Sequence, residues 1–130
     1  MSLTPPPGLT DEEQALAESV LAGRGAVLNV RKSGPHARLV PWLVEHDRLV
    51  YVGHKGVRHS WPESDFANPF HREAKHDRSG MLARYTAWLD DRPDLLDRLA
   101  AGELSGKALG CWCAPQACHA EVLVERARGC

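Results

Sequence analysis

The sequence predicts one small α/β domain, a central mixed or parallel sheet with a β-hairpin and flanking helices. Three observations carry this. Short apolar runs bounded by glycine or proline stand at 26–31 and 107–113 and read as buried strands. Around them lie stretches with apolar residues at helical spacing and capping residues at their starts. With 130 residues, 43% of them hydrophobic, the chain suits one core rather than two.

The elements follow in order. Residues 1–9 are proline-rich and read as a flexible lead-in, leaving 10–130 as the domain. Thr10 and Glu13 have capping-box spacing, and Leu16, Val20 and Leu21 mark one face of a helix to about residue 22. Gly23 and Gly25 end it, and the strand at 26–31 follows. Two arms at 38–45 and 48–53 flank His46-Asp47, rich in Leu, Val and aromatics. They predict a hairpin whose Pro41 belongs on an edge or bulge. Residues 54–78 show no period and read as a long loop.

Ser79 is positioned to cap a helix to about residue 90, with Met81, Leu82, Tyr85, Trp88 and Leu89 as its core stripe. Pro93 opens another helix, closed near Gly102. The strand at 107–113 then leads to a final helix over 118–128.

Charge bounds the function. Sixteen Lys and Arg against seventeen Asp and Glu leave a net charge of −1, which excludes the broad basic footprint of non-specific nucleic-acid binding. Six of the seven histidines and nine basic side chains fall within 31–78, a stretch that could attract an anion. No apolar run approaches the roughly 20 residues of a membrane span, and the N-terminus lacks the pattern of a secretory signal. A cytoplasmic location is expected, where clustered cysteines bind metal or react more often than they form lasting disulfides.

The densest chemistry is Cys111-Trp112-Cys113-Ala114-Pro115-Gln116-Ala117-Cys118-His119, three cysteines and a histidine in nine residues. On a strand, Cys111 and Cys113 share a face. Pro115 stops the strand, and Cys118 opens the next helix, whose dipole favours a thiolate. The turn after a strand's carboxyl end is also where open α/β sheets bind ligands.

Four readings compete. Cys111, Cys113, Cys118 and His119 have the donor atoms of a zinc site, the leading expectation. An iron–sulfur cluster on three thiolates comes second, its spacing matching no standard ferredoxin pattern. In a cysteine enzyme for sulfur or glycosyl transfer, Cys118 would be nucleophile and His119 base. In a plain interaction module the cysteines would only fill core. Neighbours at a helix start diverge by about 100°, which turns His119 away from Cys118.

The motif Leu109-Gly110-Cys111-Trp112-Cys113, with Cys118-His119, resembles a family of short bacterial and phage proteins described as a domain of unknown function. The resemblance takes in Asn29-Val30-Arg31, Asn68-Pro69-Phe70 and the Tyr85/Trp88 helix. The family's Trp-Gly before Asn-Pro-Phe is Phe66-Ala67 here, and its Gly-Asp after Cys-His is Ala120-Glu121. The resemblance implies a shared pocket, not a particular reaction.

That pocket is expected to take a small anionic or nucleotide-like ligand on Asn29, Arg31 and Asn68. Asn29 and Arg31 alternate with Leu28 and Val30 along a strand, and an arginine suits a carboxylate or phosphate. Asn68 is held extended by Pro69. His54 and His59, flanking Lys55 and Arg58, hint weakly at an anion site, and Trp42, Trp61, Trp88 and Trp112 offer stacking surface.

Overall fold

The computed structural model describes residues 4–53, 61, 64–70, 76–112 and 118–128. Its elements are α1 (Asp11–Leu21), β1 (Ala26–Asn29), α2 (Val40–Glu45), β2 (Leu49–Tyr51), α3 (Arg78–Asp90), α4 (Pro93–Ala100), β3 (Ala108–Cys111) and α5 (His119–Arg128). The three strands form a parallel sheet in the order β1-β3-β2, with Ala26 and Leu49 both opposite Ala108. The small α/β domain expected from the sequence is therefore present.

Local chemistry explains most boundaries. Thr10 Oγ1 accepts from the Glu13 amide, and the Glu13 carboxylate accepts from the Thr10 amide, each at 3.1 Å. Gly23, beyond the end of α1, takes the left-handed conformation that such a stop favours. At α3 the cap is Asp77 instead of Ser79, its carboxylate accepting from the Gly80 amide at 2.9 Å.

The hairpin is a correction. The arm at 38–45 is helical, and β2 pairs with β3 in parallel. Pro41 lies in the first turn of α2, where its missing N–H breaks no helical bond. Leu39 and Leu43, four residues apart, are both buried on one helix face, a spacing that the apolar run also allowed. Asp47, at φ 54°, carries the chain out of α2 toward β2.

Strand alternation divides the core. Ala26, Leu28 and Ala108 pack with Ala17 and Val20 of α1 and with Leu39, Trp42 and Leu43 around α2. Leu109 and Cys111 point the other way, into a cluster with Tyr85 and Leu89 of α3, Leu95 and Leu99 of α4, and Leu123 of α5. Central Gly110 is required by crowding, because a Cβ there would stand 2.5 Å from Val30 Cγ1. The sheet is thus covered on both faces, as parallel sheets are. Leu9 packs against the α1–α2 side, so the described part of the lead-in contributes to that core.

The path from β1 to β2 skips a position, and the path from β2 to β3 returns to fill it. Strand order therefore reverses at β3, and the carboxyl ends at Asn29, Tyr51 and Cys111 lie side by side. Such a reversal is where open α/β sheets hold ligands.

Candidate functional site

At this carboxyl edge α5 begins on His119, with Cys118 immediately before it. Both side chains are buried, at 1% and 4% exposure. Contrary to the helical divergence expected, they converge: Cys118 Sγ lies 3.4 Å from His119 Nδ1. Because Cys118 precedes the helix, the 100° helical step does not apply to it.

The other ring nitrogen of His119 meets the carbonyl of Val52, the residue after β2. A carbonyl only accepts, so Nε2 donates and the neutral ring presents its Nδ1 lone pair to the sulfur. The Tyr85 ring meets the imidazole at 68°, with centroids 4.9 Å apart, and its hydroxyl donates to the Phe66 carbonyl at 2.7 Å. Burial, and then the charge of a Cys118 thiolate, push the Tyr85 phenol far above its ordinary value. It is a neutral donor throughout the physiological range.

Cys111 is buried on the same sheet face. Cys113 lies outside the described residues, as do His54, His59, His71 and Cys130. Among the described residues, no three Cys, His, Asp or Glu side chains gather where one metal ion could bind. The structure therefore brings together Cys118 and His119, and does not add Cys111 to them.

The expected ligand residues divide. Asn29 is buried, and its amide bridges backbone groups, Oδ1 accepting from the Arg31 amide at 2.9 Å and Nδ2 donating to the Trp112 carbonyl at 3.3 Å. Asn68 is buried too. Its Oδ1 accepts from the Phe70 amide at 2.8 Å, and its Nδ2 lies 3.0 Å from Met81 Sδ. Arg31 is exposed. Asn29 shapes the backbone at the edge, Asn68 shapes its own turn against Met81, and Arg31 stands in solvent just past β1.

Several participants escaped sequence reasoning. Tyr51 is buried, its hydroxyl accepting from Trp112 Nε1 at 2.7 Å. Burial raises its pKa, partly offset by that hydrogen bond. The chain leaves β2 directly over this ring, since a Cβ on Gly53 would stand 2.5 Å from Tyr51 Oη. The Trp61 indole stacks on Tyr51 at 17° and 5.7 Å, and Trp112 meets it edge-on at 75° and 6.4 Å. Strand propensity explained Tyr51 without its hydroxyl, and nothing local marked Val52, which acts through its backbone.

His36 lies in the turn between β1 and α2 but is not exposed. It is 1% exposed, and its Nδ1 accepts from the Asn29 amide at 2.9 Å. Its Nε2 lies 3.2 Å from Glu12 Oε1 but is misaligned for a hydrogen bond.

No helix among the described residues is long and apolar enough to cross a membrane. No curated protein and no solved structure matches the chain. One family does, over residues 36–129, a span that takes in Asn68-Pro69-Phe70, the Tyr85/Trp88 helix and the cysteine segment but begins after Asn29-Val30-Arg31. The chain belongs to that family, described as a domain of unknown function, DUF4326.

Proposed function

We propose that the protein binds a metal ion at its cysteine segment, zinc ahead of an iron–sulfur cluster, beside a small-ligand pocket at the carboxyl edge of the sheet. The observation that carries this is the Cys118–His119 pair. A tetrahedral zinc with Zn–S of about 2.3 Å and Zn–N of about 2.0 Å sets sulfur and nitrogen roughly 3.5 Å apart. The pair stands at 3.4 Å. Metal-binding histidines commonly donate their second nitrogen to a carbonyl or carboxylate, the part Val52 fits here. Both donors are buried, which would shield a bound ion from water. The spacing offers Cys111 and Cys113 as further donors, of which Cys113 lies outside the described residues and Cys111 would have to move to join the pair. A bound zinc would supply a fixed charge holding the segment against the sheet.

The test is elemental analysis and an absorption spectrum on chain purified anaerobically without chelators. About one zinc per chain, or iron with a cluster spectrum, is the expected result. A chain without stoichiometric zinc or iron refutes it.

The same pair supports a second reading, a thiolate enzyme. An Nδ1 lone pair against Sγ, with Nε2 anchored, is the nucleophile–base–orienter arrangement. Rapid alkylation of Cys118 alone in metal-free chain at neutral pH would favour it, and resistance to alkylation would count against it.

A further inference from the structure

Beside the cysteine site, Tyr51, Trp61 and Trp112 are arranged in a way that the metal does not use. The ring of Tyr51 is locked on three sides. Gly53 leaves no room above it, the Trp112 indole N–H holds its hydroxyl, and Trp61 lies flat on it. Trp112 is fixed in turn by Asn29, which donates to its carbonyl. Tyr51 is buried, whereas both indoles are only partly covered. Among the described residues, Tyr51 is the ring partner of Trp61. Two immobilised indole surfaces therefore reach solvent where the strand order reverses.

A pocket of about 300 Å³ lies against Tyr51, which forms part of its wall together with Ser64, Asp65, Phe66, Arg98 and Glu103. That volume is at the small end for ligand sites. Its cation is already engaged, because Arg98 pairs with Asp65 at 2.9 Å and with Glu103, and lies over the Phe66 ring at 4.8 Å. A pocket with its arginine neutralised does not select a free anion.

The geometry points to a binding site for a neutral planar heteroaromatic ring of nucleobase type, stacking on Trp61 with Trp112 beside it. Stacking recognises the π-face that all bases share, and rigid aromatics lose little entropy on binding. The site deepens the ligand half of the function proposed above and is independent of the metal. It places ring recognition on Trp61 and Trp112, with Asn29 holding the backbone beneath. The net charge of −1 favours a free nucleoside over a strand.

The test is a titration of the full chain with adenosine, cytidine and a single-stranded deoxyadenosine octamer, with ribose as the ringless control. The readout is the indole N–H resonances of Trp61 and Trp112. Saturable shifts with a nucleoside and none with ribose are expected. Equal affinity per ring for nucleoside and octamer supports a free small ligand, and much tighter octamer binding supports a strand as its source. Trp61→Ala should weaken binding about tenfold or more, and Trp61→Phe, which keeps a flat ring, by only a few-fold.

The site is overturned if no probe moves the indole signals, if ribose moves them equally, or if Trp61→Ala binds like wild type. Metal content is measured on the same samples. Ring binding in a metal-free wild type would sink the metal reading alone, and metal without ring binding would sink this one alone.

Discussion

Replacing Glu13 by Gln tests whether a buried carboxylate ties α1 to the start of α2. Glu13 is 1% exposed. One oxygen accepts from the Thr10 amide at 3.1 Å, and the other from the Arg38 and Leu39 amides, each at 3.0 Å. Burial alone would raise its pKa, but the hydrogen bonds from Thr10, Leu39 and Arg38 outweigh it, and the net shift is downward.

A glutamine is the same size, yet one of its two terminal groups only donates. If its oxygen keeps Arg38 and Leu39, its NH2 faces the Thr10 N–H and that donor is orphaned. The remaining bonds also lose their charge assistance. The Thr10 amide is only part-buried, so its loss falls at the low end of the roughly 1–3 kcal/mol typical of an orphaned donor. With the lost charge assistance at Arg38 and Leu39, about 2 kcal/mol is expected at pH 7. For a chain of this size that lowers Tm by about 6 °C.

The pH dependence has a definite sign. A carboxyl whose folded pKa lies below its unfolded value stabilises fully above the unfolded value, near 4.5. The contribution fades as pH falls through the lower folded value. The gap between wild type and Glu13→Gln, read by chemical denaturation from pH 7 to pH 3, should therefore narrow in acid. A constant gap, or one widening in acid, would refute the reasoning.

Further outcomes follow from the same packing. Tyr85→Phe strands the buried Phe66 carbonyl and should cost about 1–2 kcal/mol in denaturant unfolding, while the ring contact with His119 persists. Leu43→Ala, at a fully buried site, should cost about 2–5 kcal/mol, whereas Val44→Ala, at 51% exposure, should cost less than about 0.5 kcal/mol. Equal effects would contradict the helix at 40–45. Gly53→Ala must push the Tyr51 ring aside, and should alter the near-ultraviolet circular dichroism of Trp112 and Trp61. An unchanged spectrum would show that the ring is not held there.

Local chemistry in the sequence was enough for the helices with caps and the glycine-bounded strands, as Thr10/Glu13 and Pro93 illustrate. The run at 38–53 was ambiguous because Leu39, Trp42 and Leu43 satisfy either period, and only packing against α1 and β1 selects the helix. Parallel pairing of β2 depends on contacts nearly 60 residues away, which no local pattern encodes.

The cysteine segment is legible as a candidate site because of its donor density. The partners of Cys118 and His119 are less so. Val52 contributes only its carbonyl, a role with no side-chain signature in sequence. The position of Asn29 is legible in sequence, but its hydrogen bonds with the Arg31 amide and the Trp112 carbonyl are not.

The most direct measurement of the central claim is metal stoichiometry in wild type, Cys118→Ser and His119→Ala, purified in parallel under anaerobic conditions. About one zinc per wild-type chain, and a marked loss in both variants with folding retained by circular dichroism, is the predicted result. Wild-type chain free of stoichiometric zinc or iron, or folded variants that keep their metal, would contradict it.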